Sequence, residues 1–459
     1  MVPSPSIPRA RKEPPIPASI SPTTLLSRIL LCLAAVLFLV RGPLRAQSTY
    51  VNDLAAPYAS ARLWLHHRNP YDTTAFFPTW RAAGAPSGPV YANPSSIHPV
   101  YPPPSLVVLI PFAILPWPLA NVTLTLLTAL AYLTASLLFA RLVPGTWSDP
   151  AKPVFLAYAL ALAPTHSAMH VSNTACLSAS LLFIGIYRTL VHSDSQELLP
   201  KSSSRADRRT AALLTLSLCL KPTLAPIFLL FLLSRRYVKT LIATFLAGLA
   251  LCAASLYPLL RQPGPWLRDL TSNIHFVFTQ GTASLAETNL TRFDRIDLQL
   301  PLYALTHSTL AATLGTALIT SILLAGWSLP SLLYPSNSPA ESLKDARLSL
   351  DRNLLSIATL LLIGLLPIYQ RFYSAVLVLP LALWSFRNLP RPAARWTLAV
   401  SCLFLLNTEV FQQTLGVLPP GSLHLTRVQN AFIGPHLNWI LLLSVTALVF
   451  LLNRRTARP

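Results

Sequence analysis

The sequence predicts an all-α, polytopic membrane helix bundle, and its composition is the first reason. The chain has 459 residues, of which 53% are hydrophobic and only 11% are charged, and its mean hydropathy is +0.52. Soluble proteins carry about 25% charged residues, so this chain cannot cover its surface with polar groups. Its apolar runs are continuous and rich in Leu and Ala, which favours helices over a β-barrel as the structure that satisfies the backbone in lipid.

The apolar runs predict about ten spans, with short or re-entrant helices between them. The predicted spans are 25–40, 119–142, 153–165, 174–190, 238–258, 302–334, 353–368, 373–386, 396–411 and 436–452. A further apolar run after Pro104 has only 13 residues, SLVVLIPFAILPW. At ~1.5 Å per residue it is too short to cross ~30 Å of hydrocarbon, so we expect a helix that lies on the outer leaflet or dips into it.

Charge sets the expected orientation. The formal net charge is +20, with Arg and Lys mainly in short loops at span ends. That pattern is typical of cytoplasmic loops, so we expect both termini in the cytoplasm of a plasma-membrane protein. The expected organisation is a disordered basic tail at 1–24, one membrane domain at 25–452 with large outer loops at 41–104 and 259–301, and a second tail at 453–459.

The same features limit the partners. A soluble protein of this charge would suggest nucleic acid, but here the basic loops favour anionic membrane lipids as partners and no nucleic acid. The five cysteines lie inside apolar runs without metal-like spacing, and we expect neither a metal nor a cofactor. Nucleotide-binding motifs are absent from the sequence, as is any soluble domain large enough for a nucleotide. A substrate must therefore arrive through lipid or from the outer side.

The segment 211–233 is not predicted to span the membrane. Basic pairs flank it on both sides, at Arg208-Arg209 and at Arg235-Arg236, while Lys221-Pro222 interrupts it in the middle. Each half reaches only ~15 Å, which predicts a re-entrant hairpin with Lys221 near its tip. A lysine in an apolar run costs ~2.5–3.5 kcal/mol on insertion scales, so we favour a phosphate-binding role for Lys221 over snorkelling.

The first outer loop carries the candidate acid. Asp53 follows the first span in a chain that has only fifteen Asp and Glu residues. A role in chemistry and a role in merely solvating the loop are both open from position alone. The loop around it holds a polar, cationic and aromatic set without regular periodicity, from which the candidate substrate-binding residues are Arg62, Asn69, His98 and Tyr101.

Several residues keep two interpretations. Asp72 competes with Asp53, although its place after a Pro-Tyr turn is typical of a capping residue. Glu287, Asp294 and Asp297 of the second outer loop are the next candidates for the base. Arg371, in a tight outer turn, is either an interface anchor or a contact to a leaving group. His98 and Tyr101 either touch substrate or pack the loop. Simple surface and interface roles are expected for the others: His166, His170 and His275 as outer-surface polar residues, and Trp117 as an interface anchor.

One reaction suits this set of residues. A group carried by a lipid phosphate has an anionic leaving group, whose departure needs fixed positive charge at membrane depth. An attacking sugar hydroxyl needs a general base. One carboxylate and a few cations supply both requirements without a metal or a covalent intermediate.

The order of motifs resembles a known family. The Asp53 loop precedes Asn69-Pro70-Tyr71-Asp72, and further motifs follow in order at Tyr101-Pro102-Pro103, Lys221-Pro222, Leu298-Gln299-Leu300-Pro301-Leu302-Tyr303 and Tyr369-Gln370-Arg371-Phe372-Tyr373. Over about residues 25–450 the chain resembles glycosyltransferase family 87, the polyprenol-phosphate-dependent mannosyltransferase-like enzymes of the C superfamily.

The resemblance implies a fold of the glycosyltransferase C type and a hexosyltransferase, with mannose as the expected sugar. It implies a polyprenyl phosphate sugar as donor and a glycolipid or glycan of the cell envelope as acceptor. It also places an Asp of the first outer loop as catalytic base, which corresponds to Asp53 here.

Two other classes stay open. A lipid-linked saccharide flippase would need charged residues within several spans and two related halves, and neither is evident. A non-catalytic scaffold would not need a large polar outer loop. Deleting residues 50–100 would abolish an enzyme but could spare a flippase.

Overall fold

The structure is a computed structural model that describes most of the chain. The described residues are 21–46, 53–86, 98–195, 203–261, 264–281, 283–285, 289, 294–333, 343–406, 431–432 and 434–454. The predicted tails lie almost entirely outside these ranges.

The described part of the chain is almost entirely helical. The first ten helices are α1 (Pro22–Arg41), α2 (Pro43–Ala46), α3 (Ala55–Leu65), α4 (Thr73–Ala82), α5 (Pro103–Ala113), α6 (Trp117–Leu142), α7 (Ala151–Ala161), α8 (Ala163–His170), α9 (Thr174–Ser195) and α10 (Ser203–Leu220). The others are α11 (Pro226–Ser234), α12 (Val238–Arg261), α13 (Trp266–Thr279), α14 (Gln299–Thr306), α15 (Thr309–Leu333), α16 (Leu343–Ile363), α17 (Leu379–Arg387), α18 (Pro392–Cys402) and α19 (His436–Arg454). Two 3-10 helices, Phe372–Val378 and Leu403–Leu405, and two short strands, β1 (Arg295–Ile296) and β2 (Gln370–Arg371), complete the fold.

Six of the described helices are long and apolar enough to cross a membrane. They are Pro22–Ala46, Trp117–Leu142, Thr174–Val191, Val238–Arg261, Thr309–Leu329 and His436–Arg454. Each coincides with a predicted span, and the all-α, multi-pass membrane architecture is confirmed. The remaining four predicted spans fall on shorter, interrupted or more polar helices, and the total of about ten stays a prediction.

Three predicted spans are broken where the sequence interpretation made them continuous. The span at 153–165 is α7 followed by α8, because the chain turns at Leu162 ahead of Pro164, and α8 continues beyond the predicted end of the span to His170. The span at 302–334 is interrupted at His307, whose left-handed backbone (φ 50°) ends α14. The span at 373–386 begins as a 3-10 helix before α17.

Side-chain contacts fix one common end of the bundle. Arg387 at the end of α17 pairs with Asp351 near the start of α16 at 2.7 Å. Arg387 also donates to the Leu142 carbonyl at the end of α6. Arg235 and Arg352 are close enough to interact electrostatically. We call this the basic end.

The opposite end is defined by contacts around Asp53. The Asp53 N–H donates to the Val171 carbonyl at 2.7 Å, and the Phe372 N–H donates to the Asp294 carbonyl at 2.6 Å. Thr174, at the start of α9, donates its hydroxyl to the Leu220 carbonyl at 3.0 Å. We call this the site end, since every group of the candidate site described below lies there.

Helices α10 and α11 return to the level from which they start. Thr240, near the start of α12, donates to Asp207, near the start of α10, at 3.1 Å, and Thr215 donates to the Thr244 carbonyl at 3.2 Å. Helices α10 and α12 therefore run side by side in the same direction. The intervening α11 must lead back, so Lys221, which follows Leu220 directly, lies at the turn of a hairpin. This geometry agrees with the predicted re-entrant segment.

The first outer loop contains more regular structure than its sequence suggested. It folds into α3 and α4, whose aromatic residues pack with α5 and α6 in a separate hydrophobic cluster. Trp117 is 5% exposed and stacks edge-on against Tyr58 and Trp80, with ring centroids 5.2 Å away in both cases. The interface-anchor interpretation of Trp117 is therefore wrong, because this cluster encloses the indole.

Candidate active site

Asp53 is held at the junction between α8 and α9. Its backbone N–H donates to the Val171 carbonyl at 2.7 Å, and its Oδ2 accepts a hydrogen bond from Nδ2 of Asn173 at 2.8 Å. The carboxylate is half-buried. Backbone and side chain are thus fixed by the same short segment, which restricts the direction in which the carboxylate points.

The α8–α9 junction is itself rigidly built. The amide oxygen of Asn173 caps α9 by accepting from the Ala175 N–H at 2.8 Å, which leaves its amide nitrogen for Asp53. Ser172 has a left-handed backbone (φ 48°), and its hydroxyl donates to Asn121 of α6 at 2.8 Å. Asn173 is thus the N-cap of α9, a position that favours short polar side chains because they accept a hydrogen bond from a backbone N–H of the first turn. The sequence interpretation did not single out Asn173.

Lys221 provides a cation near the Asp53 carboxylate. Its Nζ lies 5.4 Å from the centroid of the Tyr373 ring and interacts electrostatically with Asp53 and Arg371. Within the described part of the chain, no hydrogen bond or ion pair engages this ammonium group. Burial is the main cause that lowers the pKa of Lys221, which lies in the turn between α10 and α11; the Asp53 carboxylate opposes the shift, and Arg371 adds to it.

Arg371 supplies a second cation, oriented by an acid. Its Nη2 lies 2.9 Å from Oδ2 of Asp294, and its Nε donates to the same oxygen at 3.0 Å. The guanidinium carbon lies 5.9 Å from the Tyr373 ring centroid, so Lys221 and Arg371 approach the same ring. The pairing of β1 with β2 sets this position, because it aligns Arg371 with Arg295 one residue after Asp294.

Tyr101 lies in the same group. Its side chain hydrogen-bonds with Thr174, the first residue of α9, and interacts electrostatically with Asp53. Burial raises the pKa of Tyr101 to about 12, so the phenol stays protonated at neutral pH. Its carbonyl accepts a hydrogen bond from the Tyr71 hydroxyl at 3.0 Å, which attaches the α3–α4 region to this position.

Gln370 adds an unpartnered polar atom beside the hairpin turn. The side chain is 2% exposed, and its Oε1 accepts from Ser374 at 2.7 Å and from Thr223 at 3.5 Å. Its Nε2 is buried without a hydrogen-bond partner. Buried amide groups are nearly always bonded, so one arm of this amide is available to a ligand or a water. The sequence interpretation quoted Gln370 only as part of a motif.

The other three candidate binding residues of the first loop make structural contacts. Arg62 donates to the Ala113 carbonyl at 2.9 Å, joining α3 to the end of α5. Asn69 donates to Asp269 of α13 at 2.7 Å. His98 stacks on Phe276 of α13 at 3.8 Å between ring centroids, and burial lowers its pKa. They hold the loop to its neighbours, and their predicted contact with substrate stays untested.

The competing acids are already engaged. Asp72 caps α4, with Oδ1 accepting from the Thr74 N–H at 2.8 Å, as its sequence position suggested. Asp297 is completely buried, pairs with Arg295 at 2.5 Å and caps α14 through the Leu300 N–H at 2.9 Å. Glu287, a further candidate in the second outer loop, lies outside the described residues.

The histidines do not assemble a metal site among the described residues, where no cluster of three His, Cys, Asp or Glu side chains was found. His166 is 9% exposed, and its Nε2 donates to the Leu160 carbonyl at 2.7 Å. The expectation that His166 is a surface residue is therefore wrong, because the helix α8 turns it into the bundle toward Phe38.

The site end therefore combines a fixed carboxylate, two cations and a protonated phenol at the end of an apolar helical bundle. Asp53 interacts electrostatically with both cations without a direct ion pair among the described residues, so the carboxylate and the cations are neighbours that are not in contact. A set of this kind can bind a phosphate on one side and accept a proton on the other. This end of the bundle is therefore the candidate active site.

Comparison with known families identifies the class of enzyme. Residues 100–344, more than half of the chain, match the model of glycosyltransferase family 87. The chain belongs to this family and is a membrane glycosyltransferase. The matched region contains Tyr101, Lys221 and Asp294, whereas Asp53 and Arg371 lie on either side of it. No curated protein and no solved structure matches the chain.

Proposed function

We propose that the protein transfers a hexose, with mannose as the first candidate, from a polyprenyl phosphate sugar to a glycolipid or glycan of the cell envelope. The observation that carries the proposal is the arrangement of Asp53 beside Lys221 and Arg371 at the site end. Membership of the family supports glycosyl transfer in general, and the cation pair supports a phosphate as the leaving group.

In the proposed reaction, an acceptor hydroxyl oxygen forms a bond to the anomeric carbon while the bond from that carbon to the phosphate oxygen breaks. Asp53 takes the hydroxyl proton, and the polyprenyl phosphate leaves with the electron pair. Lys221 and Arg371 stabilise the negative charge that grows on the phosphate. Asn173 positions the Asp53 carboxylate, and the protonated Tyr101 is a hydrogen-bond donor for the sugar or phosphate.

The membrane placement follows from the same arrangement. The basic end carries Arg235, Arg352 and Arg387, and a positive-inside orientation puts this end in the cytoplasm. We therefore place the site end on the outer side of the plasma membrane, with both termini inside. There a lipid-linked sugar is available and cytoplasmic nucleotide sugars are not, which favours the polyprenyl phosphate donor.

The test uses the purified full-length protein with synthetic polyprenyl phosphate sugars that differ only in the hexose, and a lipid extract as acceptor. Transfer of labelled sugar with release of polyprenyl phosphate is expected for one hexose, and mannose is expected to be preferred. Transfer from a soluble nucleotide sugar and not from the lipid donors would overturn the donor assignment. Movement of the intact donor from one leaflet of a proteoliposome membrane to the other, without transfer of its sugar, would favour a flippase.

A further inference from the structure

A second cluster of basic residues lies at the site end, along α8. It surrounds a cavity of about 170 Å³ that we call the basic cavity. Its polar wall consists of Arg41, Arg45, His166, Ser167 and His170, and Leu37 and Leu406 are among its apolar lining residues. No acidic residue lines the cavity, so its polar wall is entirely cationic or neutral.

The junction of α1 and α2 brings both arginines to this place. Helix α1 ends at Gly42, where an added Cβ would lie 2.7 Å from the Phe38 carbonyl oxygen and 3.1 Å from the sulfur of Met169 in α8. The absence of a side chain lets α1 turn into α2 directly against α8. Arg41, before the turn, and Arg45, after it, then face the same helix.

One side of the basic cavity borders the membrane-facing surface. Leu37 is 40% exposed and Leu406 is 59% exposed. Only 17% of the most apolar stretch of the helix Pro22–Ala46 is buried in the bundle. In a multi-pass membrane protein, such exposed apolar side chains contact hydrocarbon. The cavity therefore joins a cationic wall to an apolar wall at the edge of the bundle.

From this combination we infer that the basic cavity binds the phosphate of an anionic membrane lipid, whose hydrocarbon chain lies along Leu37 and Leu406. Arginine pairs bind phosphate oxygens through charge-assisted and bidentate hydrogen bonds. The volume holds a head-group phosphate and its ester oxygens, at about 30 Å³ for each water-sized group, but not a whole lipid. Within the described residues, Arg41 makes no ion pair or hydrogen bond that would compete for a phosphate.

This site is separate from the proposed transfer site. Asp53 is bonded to Val171 and Asn173, beyond the end of α8, and none of Asp53, Lys221 and Arg371 lines the cavity. Its ligand is therefore a lipid additional to the sugar donor. The inference does not depend on the transfer reaction, and its test measures binding alone.

The experiment counts lipids on the purified full-length protein by native mass spectrometry in a zwitterionic detergent. The probes are phosphatidylglycerol, a polyprenyl monophosphate, phosphatidylcholine and inorganic phosphate. For the native protein we expect one tightly held anionic lipid that phosphatidylcholine and equimolar inorganic phosphate do not displace. The two anionic lipids are compared in Lys221→Ala protein, which lacks the proposed donor-phosphate contact, and the one that binds more tightly there identifies the class of ligand in the basic cavity.

Variants connect this binding to the basic cavity. Arg41→Gln with Arg45→Gln should weaken binding of the anionic lipid at least about tenfold, since two charge-assisted contacts are lost. Ser167→Phe, which fills the cavity without changing its charge, should weaken it too. Arg28→Gln is the control for each single replacement, Arg41→Gln and Arg45→Gln, because it also removes one positive charge, from an exposed position nearer the other end of α1. Lys221→Ala should retain the binding of phosphatidylglycerol.

Unchanged binding in both the double variant and Ser167→Phe would overturn the inference, as would equal loss in Arg28→Gln. Displacement by equimolar inorganic phosphate would overturn the assignment to a lipid. Equal displacement by phosphatidylcholine would overturn the assignment to an anionic lipid. If the double variant does not fold, the binding measured for Ser167→Phe is the test. The thermal unfolding temperature of Ser167→Phe in the absence of lipid then shows whether that variant is folded.

Discussion

Asn173 donates a hydrogen bond to the Asp53 carboxylate at 2.8 Å while its amide oxygen caps helix α9. The two residues are 120 positions apart in the sequence, and the contact joins the first outer loop to the bundle. Under the proposed mechanism, Asn173 is a positioning residue, since it acts through the base and not on the substrate.

Replacing Asn173 separates its two roles. Asn173→Asp keeps an N-cap oxygen for the Ala175 N–H but puts a second carboxylate against Asp53. Because a like charge disfavours ionisation, the acidic limb of the kcat/KM profile should move to higher pH, and transfer at neutral pH should fall. Asn173→Ser keeps a capping group without adding charge, so it should lower kcat and move that limb less than Asn173→Asp does, because only the hydrogen bond to the carboxylate is lost. Identical pH profiles for native protein and Asn173→Asp would contradict this role.

The Lys221 variants test the phosphate site. Lys221→Ala should reduce use of the lipid donor far more than it reduces thermal stability, because no hydrogen bond or ion pair engages the ammonium among the described residues. Lys221→Arg should keep part of the activity, since the charge remains while the geometry changes. Donor KM and unfolding temperature are measured for both. Full transfer by a well-folded Lys221→Ala would reject the assignment.

The same lysine predicts a pH dependence. Burial lowers the Lys221 pKa, so its ammonium is lost at a lower pH than that of an ordinary lysine. If the ammonium binds the donor phosphate, the donor KM should rise on the alkaline side in the native protein. In Lys221→Arg that rise should disappear, because arginine stays protonated throughout. An unchanged alkaline limb in Lys221→Arg would show that another group titrates.

The ion pair between Arg371 and Asp294 should be energetically coupled. Its side chains are 29% and 32% exposed, and the acid orients the guanidinium next to Tyr373. A double-mutant cycle with Arg371→Gln and Asp294→Asn should give a coupling of about 0.5–3 kcal/mol in the free energy of unfolding, as contacting residues usually do. Asp294→Asn should also reduce transfer by misorienting Arg371. Additive stability effects with unchanged transfer would argue against this orienting role.

The hairpin of α10 and α11 predicts the same membrane side for its two flanks. In a variant whose five native cysteines are replaced, single changes Arg208→Cys and Arg236→Cys should react with an impermeant thiol reagent only from the cytoplasmic face. A cysteine in place of His275, in α13, is the control for labelling from the outer face. Labelling of positions 208 and 236 from opposite faces would show a simple crossing.

The sequence predicted the membrane helices and the hairpin because both depend on local signals. Apolar length identifies a span, and a Lys-Pro pair between basic flanks identifies a turn. Asp53 could be singled out because acids are scarce. The helices α3 and α4 were missed because their buried faces are lined by aromatic residues that pack on neighbouring helices, in a loop rich in Pro and polar residues.

Long-range contacts could not be predicted. Asn173 precedes α9 in a pattern typical of an N-cap, so its capping role was readable, but its partner Asp53 was not. Arg62 was chosen because it follows Asp53 in the sequence. Nine residues of mostly helical chain place it ~13 Å further along α3, where it contacts the end of α5. Closeness in sequence was thus a poor guide to closeness at the site.

The most direct test of the account compares Asp53→Asn with Asp72→Asn in transfer from a synthetic polyprenyl phosphate sugar by purified protein. Asp53→Asn keeps the shape of the side chain but cannot accept the proton, so transfer should fall by ~10²–10⁴-fold while donor binding persists. Asp72→Asn retains a capping oxygen for α4 and should stay close to native activity. A fully active Asp53→Asn protein, or an inactive but well-folded Asp72→Asn protein, would contradict the assignment of Asp53 as the base.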